Sequence, residues 1–367
     1  MAELAAPLRV RRRIGGYQIA QIVIAVLFIT ILIWRLYTVL IVQAVYGPGT
    51  WVRFAWAGIV IGSVYALIAI GYTLVYGILR MINFAHSEVF MAGAFAGYFV
   101  FEGFNALQVD PANNLSFMNA YPVPAVVIAF LVGSVTSMLT GFTLERIAYR
   151  PLRKAPRLVP LISAIGASIF MQNAAQLMFG PQRHIYRNPV ILDRNLGWSL
   201  MVGEEKVLIS YTSVLTILLA VTLLVGLYTL VQRTRLGRAM RAVSEDKQTA
   251  ALMGIDVDSV ISRTFVIAGA LAGAAGVMWG LHYGQVFPTV GFIPGIKAFT
   301  AAVLGGIGNL PGAMLGAMFL GLTETLGPAA LGIDFQLKDV IAFTILVLVL
   351  IFRPSGILGE ALKEEKV

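Results

Sequence analysis

The chain has 367 residues, of which 58% are hydrophobic and 12% are charged, and its formal net charge is +9. A soluble domain carries about a quarter charged residues, so this composition excludes an ordinary soluble protein and predicts a membrane protein. There is no cysteine and there are three histidines, which excludes disulfides and thiolate metal sites and leaves too few ligands for a histidine metal cluster. The basic residues lie between apolar runs, which indicates membrane topology rather than nucleic-acid binding.

Long apolar runs follow one another along most of the chain, and a spanning helix needs about 20 such residues. We predict single spans at residues 17–47, 51–77, 88–107, 122–147, 158–180, 207–231, 260–283 and 337–352. The run 295–326 is too long for one span and is interrupted by GGIGNLPG, where Gly308, Pro311 and Gly312 permit a turn. We expect this run to cross twice as two short, broken helices, which gives an all-α polytopic fold of about ten spans.

Arginine and lysine are concentrated in the N-terminus, in residues 150–157 and 232–247, and in the C-terminal tail. Basic loops stay on the cytoplasmic side, so both termini are predicted to be cytoplasmic. Arg35 interrupts the first apolar run, and we expect that helix to end near Trp34 so that the guanidinium reaches the outer headgroups. The predicted organisation is an N-terminal extension with an accessory helix (1–50), a permease core (51–353) and a cytoplasmic tail (354–367).

Polar residues gather in the motif RMINFAHSEVF, which joins the second predicted span to the third. Ionisable groups inside membranes are functional candidates, and non-helical backbone at that depth is tolerated where it lines a cavity or is buried in protein. We place Asn83, His86 and Glu88 in a candidate translocation pathway, together with Gln172 and Asn173 from a later span. The alternative is a tight interfacial turn, in which Ser87 caps the next helix and Glu88 favours its N-terminal dipole.

Other polar features have structural and functional interpretations. Lys297 and Glu324 flank the interrupted run, and the sequence leaves open whether they form an ion pair. Small residues crowd residues 268–276 and 315–322, which indicates close helix packing. The sequence contains no Walker motif, no H-E-x-x-H motif and no supported Ser/His/Asp set. We therefore expect no catalytic residue in this chain, and the energy for active transport must come from an ion gradient or a partner.

The loop 243–260 predicts a short helix between two spans. Ser244 is expected to cap its N-terminus, with Glu245 in the first turn, and Gly254 offers the positive φ of a helix C-terminus. Asp256 or Asp258 is then expected to cap the following span. The loop 232–259 therefore acts either as a docking element or as a connector with two helix caps.

Four long segments carry a family resemblance: GSVYALIAIGYTLVYGILRMINFAHSEVFMAG, ERIAYRPLRKAPRLVPLISAIGASIFMQN, TRLGRAMRAVSEDKQTAALMGIDVDSVISRTFVIAGALAGAAGV and GIKAFTAAVLGGIGNLPGAMLGA, followed by RPSGILG. In these segments the chain resembles the LivH-like permease subunits of branched-chain amino acid ABC importers. The resemblance extends from about residue 53 to residue 359 and leaves the first fifty residues outside it. Related permeases commonly have Gly where this chain has Ser87. If that position needs a positive φ, Ser87 would be strained, and a Ser in ordinary geometry is the simpler interpretation.

The resemblance implies an ABC importer permease of the ribose and vitamin B12 type, located in the bacterial inner membrane. Its implied partners are a second permease subunit, LivM-like or identical, two ATPase subunits that bind ATP and Mg²⁺, and an external substrate-binding protein. We assign ATPase coupling to five residues, of which the last four match the family's coupling motif: Arg241, Glu245, Ala250, Ala251 and Gly254. The expected substrates are branched-chain or other neutral amino acids. Urea or short amides are the alternative, followed by ion-coupled secondary transport.

Overall fold

A computed structural model describes residues 23, 26–27, 30–31, 33–113, 115–153, 155–156, 158–353 and 355–359. Most of the predicted N-terminal extension and most of the predicted tail lie outside these residues. The division into extension, core and tail therefore stays a prediction. The described chain is an α-helical bundle with three small two-stranded sheets.

Eight described helices are long and apolar enough to cross a membrane, and two apolar helices are shorter. The short ones are α1 (Ile33–Gln43) and α11 (Phe292–Gly305). The long ones are α2 (Pro48–Leu79), α3 (His86–Ala106), α5 (Pro122–Leu144, with irregular turns to Leu152), α6 (Leu158–Phe179), α7 (Tyr211–Arg233), α10 (Val257–Tyr283), α12 (Leu310–Leu331) and α13 (Lys338–Phe352, preceded by a 3₁₀ turn from Phe335). The prediction of an all-α membrane fold is confirmed, and ten apolar helices agree with the expected number.

The two ends of the bundle differ. One end, here called the hairpin end, carries β1 (Gln108–Asp110) with β2 (Leu115–Ser116), β3 (His184–Ile185) with β6 (Gln285–Val286), β4 (Gly197–Val202) with β5 (Glu205–Ser210), and the short helix α4 (Phe117–Ala120). The other, here called the basic end, carries α8 (Arg235–Glu245) and α9 (Lys247–Leu252). The predicted span 207–231 begins too early, because its first four residues belong to strand β5.

Helix α2 runs through the centre of the bundle, and small residues let its neighbours approach closely. A Cβ at Gly321 of α12 would lie 2.5 Å from the carbonyl oxygen of Gly58 in α2. In the same way, a Cβ at Gly93 of α3 would lie 2.4 Å from the Cα of Gly273 in α10. The glycine-rich runs therefore provide backbone-to-backbone packing, as the sequence predicts.

The interrupted run 295–326 crosses as two helices, as predicted, but only α11 is short: it has 14 residues and α12 has 22. The turn between them uses Gly306 (φ +108°) and Gly308 (φ +96°). Asn309 caps α12 by accepting the backbone N–H of Gly312 at 3.0 Å. Pro311 and Gly312 therefore lie in the first turn of α12 rather than in the connection, because a proline at this position lacks only an N–H that the helix leaves free.

Helix α1 does not end near Trp34, which corrects the sequence prediction, but continues to Gln43. The guanidinium of Arg35 donates to the carbonyl oxygens of Leu331 at 2.8 Å and Gly332 at 3.2 Å. These carbonyls close the last turn of α12, where the final C=O groups have no partner within the helix. Arg35 therefore binds a helix terminus of the core.

Candidate functional site

The connection between α2 and α3 forms the most polar part of the bundle interior. Helix α2 ends where Arg80 adopts a left-handed conformation (φ +55°), with its backbone N–H bound to Tyr76 O at 2.7 Å. This turn reverses the chain, and α3 begins at His86, whose ring packs 4.9 Å from the ring of Tyr72 in α2. Tyr72 precedes the end of α2 by two turns, so α3 begins inside the bundle rather than at its rim.

Glu88 lies in the first turn of α3 and is completely buried. Its Oε1 accepts three hydrogen bonds, from Gln172 Nε2 at 2.7 Å and from the hydroxyls of Ser168 and Ser87 at 3.1 Å each. Within the described residues, its Oε2 has no hydrogen-bond partner. Two residues of α6 thus hold the carboxyl group of Glu88 with neutral donors, and one of its oxygens is left free.

A cavity of about 270 Å³, here called the inner cavity, lies beside this carboxyl group. Its polar wall is formed by Ser87, Ser168 and Gln172, which are the residues that bind Glu88. The rest of the wall is apolar or aromatic: Tyr72, Phe84, Ile165, Ile169, Phe292 and Ile296. A small molecule with an aliphatic part and one polar part would match this lining.

The other sequence candidates lie around this cluster but not on the cavity. Asn83 is buried, and its Oδ1 accepts the hydroxyl of Tyr149 at 2.5 Å. His86 is buried against Gly71, where a Cβ would lie 2.2 Å from its Nε2. Asn173 is exposed and donates to the carbonyl of Ile169 in its own helix at 2.7 Å. Of the five predicted pathway residues, the structure brings together Glu88 and Gln172.

Ser87 does not cap α3, because it lies inside the helix and its one hydroxyl proton is shared between Phe84 O at 2.8 Å and Glu88 Oε1 at 3.1 Å. Its backbone has ordinary geometry, since Ala44 and Arg80 are the described non-glycine residues with positive φ. The simpler interpretation of this position, a serine in ordinary backbone geometry, is therefore confirmed. Tight packing at Ser87 instead restricts its neighbours: a Cβ at Gly295 would lie 2.4 Å from the Cβ of Ser87.

Ser168 is the cluster residue that the sequence analysis missed. It precedes Gln172 by four residues in α6, and residues with this spacing share one face of a helix. The pattern S-x-x-x-Q in an otherwise apolar span was therefore an available signal. Tyr149, which binds Asn83, carried no comparable signal, because it lies in an irregular turn (Glu145–Tyr149) after α5.

At the basic end, the predicted short helix exists but begins differently. Asp246 caps α9 by accepting the N–H groups of Gln248 at 2.8 Å and Thr249 at 3.2 Å. Hydrogen bonds from the Thr249 side chain and from these amides hold the pKa of Asp246 below its usual value. Ser244, the predicted cap, instead lies in α8 and donates to Arg241 O. Glu245 is the last residue of α8 and not a first-turn residue of α9.

The C-terminal half of this element agrees with the sequence prediction. Gly254 has φ +82°, and the N–H of Ile255 returns to Ala250 O at 3.0 Å. Asp256 caps α10 through the N–H of Ser259. Asp258 does not, because its carboxylate pairs with Arg150 and Arg153.

The residues at the basic end that the sequence analysis assigned to ATPase coupling differ in exposure and in contacts. Ala250 is buried, whereas Ala251 is exposed, and so are the apolar side chains of Leu252 (87%) and Met253 (78%). The guanidinium of Arg241 donates to Val231 O, near the end of α7. Arg241 therefore ties α8 to α7, and Leu252 and Met253 form an exposed apolar surface at the C-terminal end of α9.

Residues 54–350 match the family described as branched-chain amino acid transport system / permease component. The chain is 47% identical over 306 residues to the high-affinity branched-chain amino acid transport system permease protein BraD of Pseudomonas aeruginosa, and the match covers 83% of this chain and 94% of that protein. It is 43% identical over the same length to the high-affinity branched-chain amino acid transport system permease protein LivH of Escherichia coli K12, with the same coverage.

A more distant relative is the probable branched-chain amino acid transport permease protein LivH of Methanocaldococcus jannaschii, 27% identical over 320 residues, which cover 84% of this chain and 92% of that protein. No solved structure matches significantly. The family match covers most of the chain, and it includes both the α2–α3 connection and the α8–α9 element. The chain therefore belongs to the family of permease components of branched-chain amino acid transport systems.

Proposed function

We propose that the chain is the permease subunit of an ATP-driven importer that moves branched-chain or other neutral amino acids into the cytoplasm. The observation that carries this proposal is its similarity, at 47% and 43% identity over 94% of their lengths, to two permeases named for high-affinity branched-chain amino acid transport. The ten apolar helices provide the membrane body that such a subunit requires. The same relatives give no support to urea or short amides as substrates.

In this proposal the chain assembles with a second permease subunit, LivM-like or identical, with two cytoplasmic ATPase subunits and with an external substrate-binding protein. ATP and Mg²⁺ bind to the ATPase subunits. The basic end faces the cytoplasm of a bacterial inner membrane, and both termini lie on that side. The support for this orientation is the arginine content of the basic end, which includes Arg150, Arg153, Arg235, Arg238 and Arg241.

The ATPase contact is assigned to α9 and its two flanks, which contain Glu245, Ala250, Ala251 and Gly254. Two features support this assignment. Leu252 and Met253 are exposed apolar side chains outside the apolar spans, and such side chains are typical of a partner interface. In addition, α9 has a defined end on each side, the Asp246 cap and the turn at Gly254. It can therefore pass a movement of the ATPase subunits to the bundle while it stays helical.

Glu88 and Gln172, with Ser168, are assigned to the translocation pathway, because they form or support the polar wall of an otherwise apolar cavity. Asn83 and His86 support the α2–α3 connection from behind this wall. Asn173 is exposed on α6, and its side chain is bound within its own helix. The mixed lining suits a substrate with an aliphatic side chain.

The function is tested by purifying the tagged chain from its native membrane in mild detergent and identifying the subunits that accompany it. The complex is then reconstituted in vesicles with the external binding protein, and uptake of leucine, valine and urea is measured with and without ATP. We expect leucine and valine to accumulate only with ATP, and urea not to accumulate. Uptake that persists without ATP and stops when an ion gradient is dissipated would overturn the proposal.

The docking surface is tested by the double variant Leu252→Ser/Met253→Ser. We expect the ATPase subunits to be lost from the purified complex while the permease still inserts in the membrane. Met201→Ser is the matched control, because Met201 is 69% exposed but lies on the hairpin end. Equal recovery of ATPase subunits with the double variant and with the control would show that α9 is only a connector.

A further inference from the structure

A group of four charged residues lies inside the bundle between α11, α12 and α13. The ammonium of Lys297 is 2.7 Å from Glu324 Oε1 and 2.5 Å from Asp339 Oδ1. Lys338 approaches the same Glu324 oxygen at 3.2 Å, and Tyr65 of α2 donates to the other at 3.0 Å. The side chains of Lys297 and Glu324 are 3% and 1% exposed, while those of Lys338 and Asp339 are 40% exposed. The group is thus buried on one side and open on the other.

The open side faces a cavity of about 430 Å³, here called the outer cavity, that extends toward the hairpin end. All four charged residues line it, together with Arg183, whose guanidinium lies 4.9 Å from the ring centre of Phe287. Aromatic side chains form much of the remaining wall: Tyr65, Trp279, Tyr283, Phe287 and Phe292. Phe292 also lines the inner cavity, so the two cavities adjoin at this side chain.

The pairing of these charges is not in itself evidence that they stabilise the fold. Burying an ion pair in a protein interior costs several kcal/mol in desolvation, and apolar residues of the same size commonly replace such pairs without loss of stability. Charged groups within membrane-spanning helices instead mark substrate or ion pathways. The four residues sum to zero charge, and Arg183 adds one positive charge at the hairpin end of the cavity. The lining therefore offers both cations and carboxylates beside an aromatic surface.

We propose that the outer cavity binds the zwitterionic head group of an α-amino acid before the substrate passes Phe292. The carboxylate of the ligand binds Arg183 and Lys338, and its ammonium binds Asp339. The aliphatic side chain packs against Trp279 and Phe287. A zwitterion brings one charge of each sign. Its two charged groups can therefore pair with Lys338 and Asp339 without changing the total charge of the cavity. This site specifies the substrate class of the proposed importer and rests on that proposed function.

The site is tested with the full chain in lipid nanodiscs, by titrating its tryptophan fluorescence with leucine and subtracting the signal of Trp279→Phe. Two analogues separate the charges: 3-methylbutylamine lacks the carboxylate of leucine, and 4-methylpentanoate lacks its ammonium. We expect a saturable change with leucine. Each analogue should reach half-saturation at a concentration about tenfold higher or more, because each loses one contact between charged groups. Urea should give no change.

Arg183→Gln and Asp339→Asn should each raise the half-saturating leucine concentration by about tenfold or more. Each removes a charge from an open part of the cavity, and their thermal unfolding is measured to confirm folding. Arg53→Gln is the matched control, because Arg53 forms an exposed 3.4 Å ion pair with Glu205 at the same end of the bundle. That control should leave the leucine titration unchanged.

The proposal is overturned if leucine gives no change that depends on Trp279, or if either analogue binds as well as leucine. It is also overturned if the two cavity variants titrate like Arg53→Gln. These outcomes are distinct from failure of the proposed function. ATP-dependent leucine uptake without binding in this cavity would remove the site alone, whereas binding without uptake by the reconstituted complex would remove the transport proposal.

Discussion

Two buried glutamates in the same bundle are held in opposite ways. Glu88 in α3 and Glu324 in α12 are both buried. Glu88 accepts hydrogen bonds from two hydroxyls and one amide, all neutral. Glu324 contacts two lysine ammonium groups and a tyrosine hydroxyl. The two carboxyl groups lie beside two adjoining cavities that share Phe292.

The difference indicates that the cavity lining changes along the bundle, from charged groups in the outer cavity to neutral polar groups in the inner cavity. The outer cavity, beside Glu324, has paired charges that a zwitterion can replace one for one. The inner cavity, beside Glu88, has hydroxyl and amide groups next to isoleucine and phenylalanine side chains, which suit an aliphatic side chain. The charged cluster arises although the predicted spans contain few charged residues, because three helices each contribute to it.

The largest effect is expected from removing Lys297, the cation that Glu324 shares with Asp339. Lys297→Met should destabilise the protein by about 3–5 kcal/mol, because it leaves the buried carboxylate of Glu324 without its nearest counter-ion. The measurement is reversible unfolding in detergent against increasing SDS. Lys297→Met/Glu324→Gln should recover much of the loss, since it removes one charge of each sign. A single variant as stable as the unmodified chain would contradict the ion-pair interpretation.

A smaller effect is expected at the neutral cluster. Glu88→Leu leaves the Gln172 amide and the Ser168 hydroxyl without their acceptor, which costs about 1–3 kcal/mol. Glu88→Gln keeps an acceptor oxygen and should cost less than Glu88→Leu in the same unfolding assay. If Glu88→Gln proved as damaging as Lys297→Met, the carboxylate charge would matter at both sites and the contrast between them would disappear.

The span pattern was predictable because most of the predicted crossings are continuous apolar runs that end near glycine, proline or charged residues. The clusters were less predictable, since they depend on which helices become neighbours. Ser168 and Gln172 share a face through local spacing, but nothing local places that face against Glu88. The lysine at 297 and the glutamate at 324 are unusual in an apolar run, yet the cluster around their ion pair also includes Lys338 and Asp339 from a third helix. Helix packing, rather than composition, creates both sites.

Outside the bundle core, a smaller effect is expected at Gly254, just after α9. Gly254 has φ +82°, and a Cβ at this position would meet no atom of the described residues within 4 Å, so replacing it tests the backbone alone. Gly254→Val should cost about 1–2 kcal/mol locally through the left-handed conformation, and Gly254→Asn should cost less. We expect Gly254→Val to lower leucine uptake per ATP hydrolysed in vesicles, with insertion unchanged. If Gly254→Val and Gly254→Asn moved the same amount of leucine per ATP hydrolysed, the backbone conformation at this helix end would have no effect on coupling.

The smallest effect concerns a third carboxylate, Asp246, which caps α9 in the open. Its pKa is held below the usual value by hydrogen bonds from Thr249 and neighbouring amides. A depressed pKa means that the cap contributes stability above the unfolded-state pKa, about 3.9, and loses that contribution as the pH falls through the folded-state value. Amide-exchange protection of residues 247–252, corrected for the intrinsic exchange rate, should therefore be constant between about pH 5 and pH 8 and should decline below about pH 4.

Asp246→Asn supplies the matched control, because an asparagine caps a helix equally well and carries no charge. Protection of α9 in this variant should be independent of pH over the same range. A decline of equal size in both proteins would assign the acid sensitivity to other groups. A decline confined to the unmodified chain would show that this carboxylate stabilises its own helix, whereas Glu88 and Glu324 bind residues of other helices.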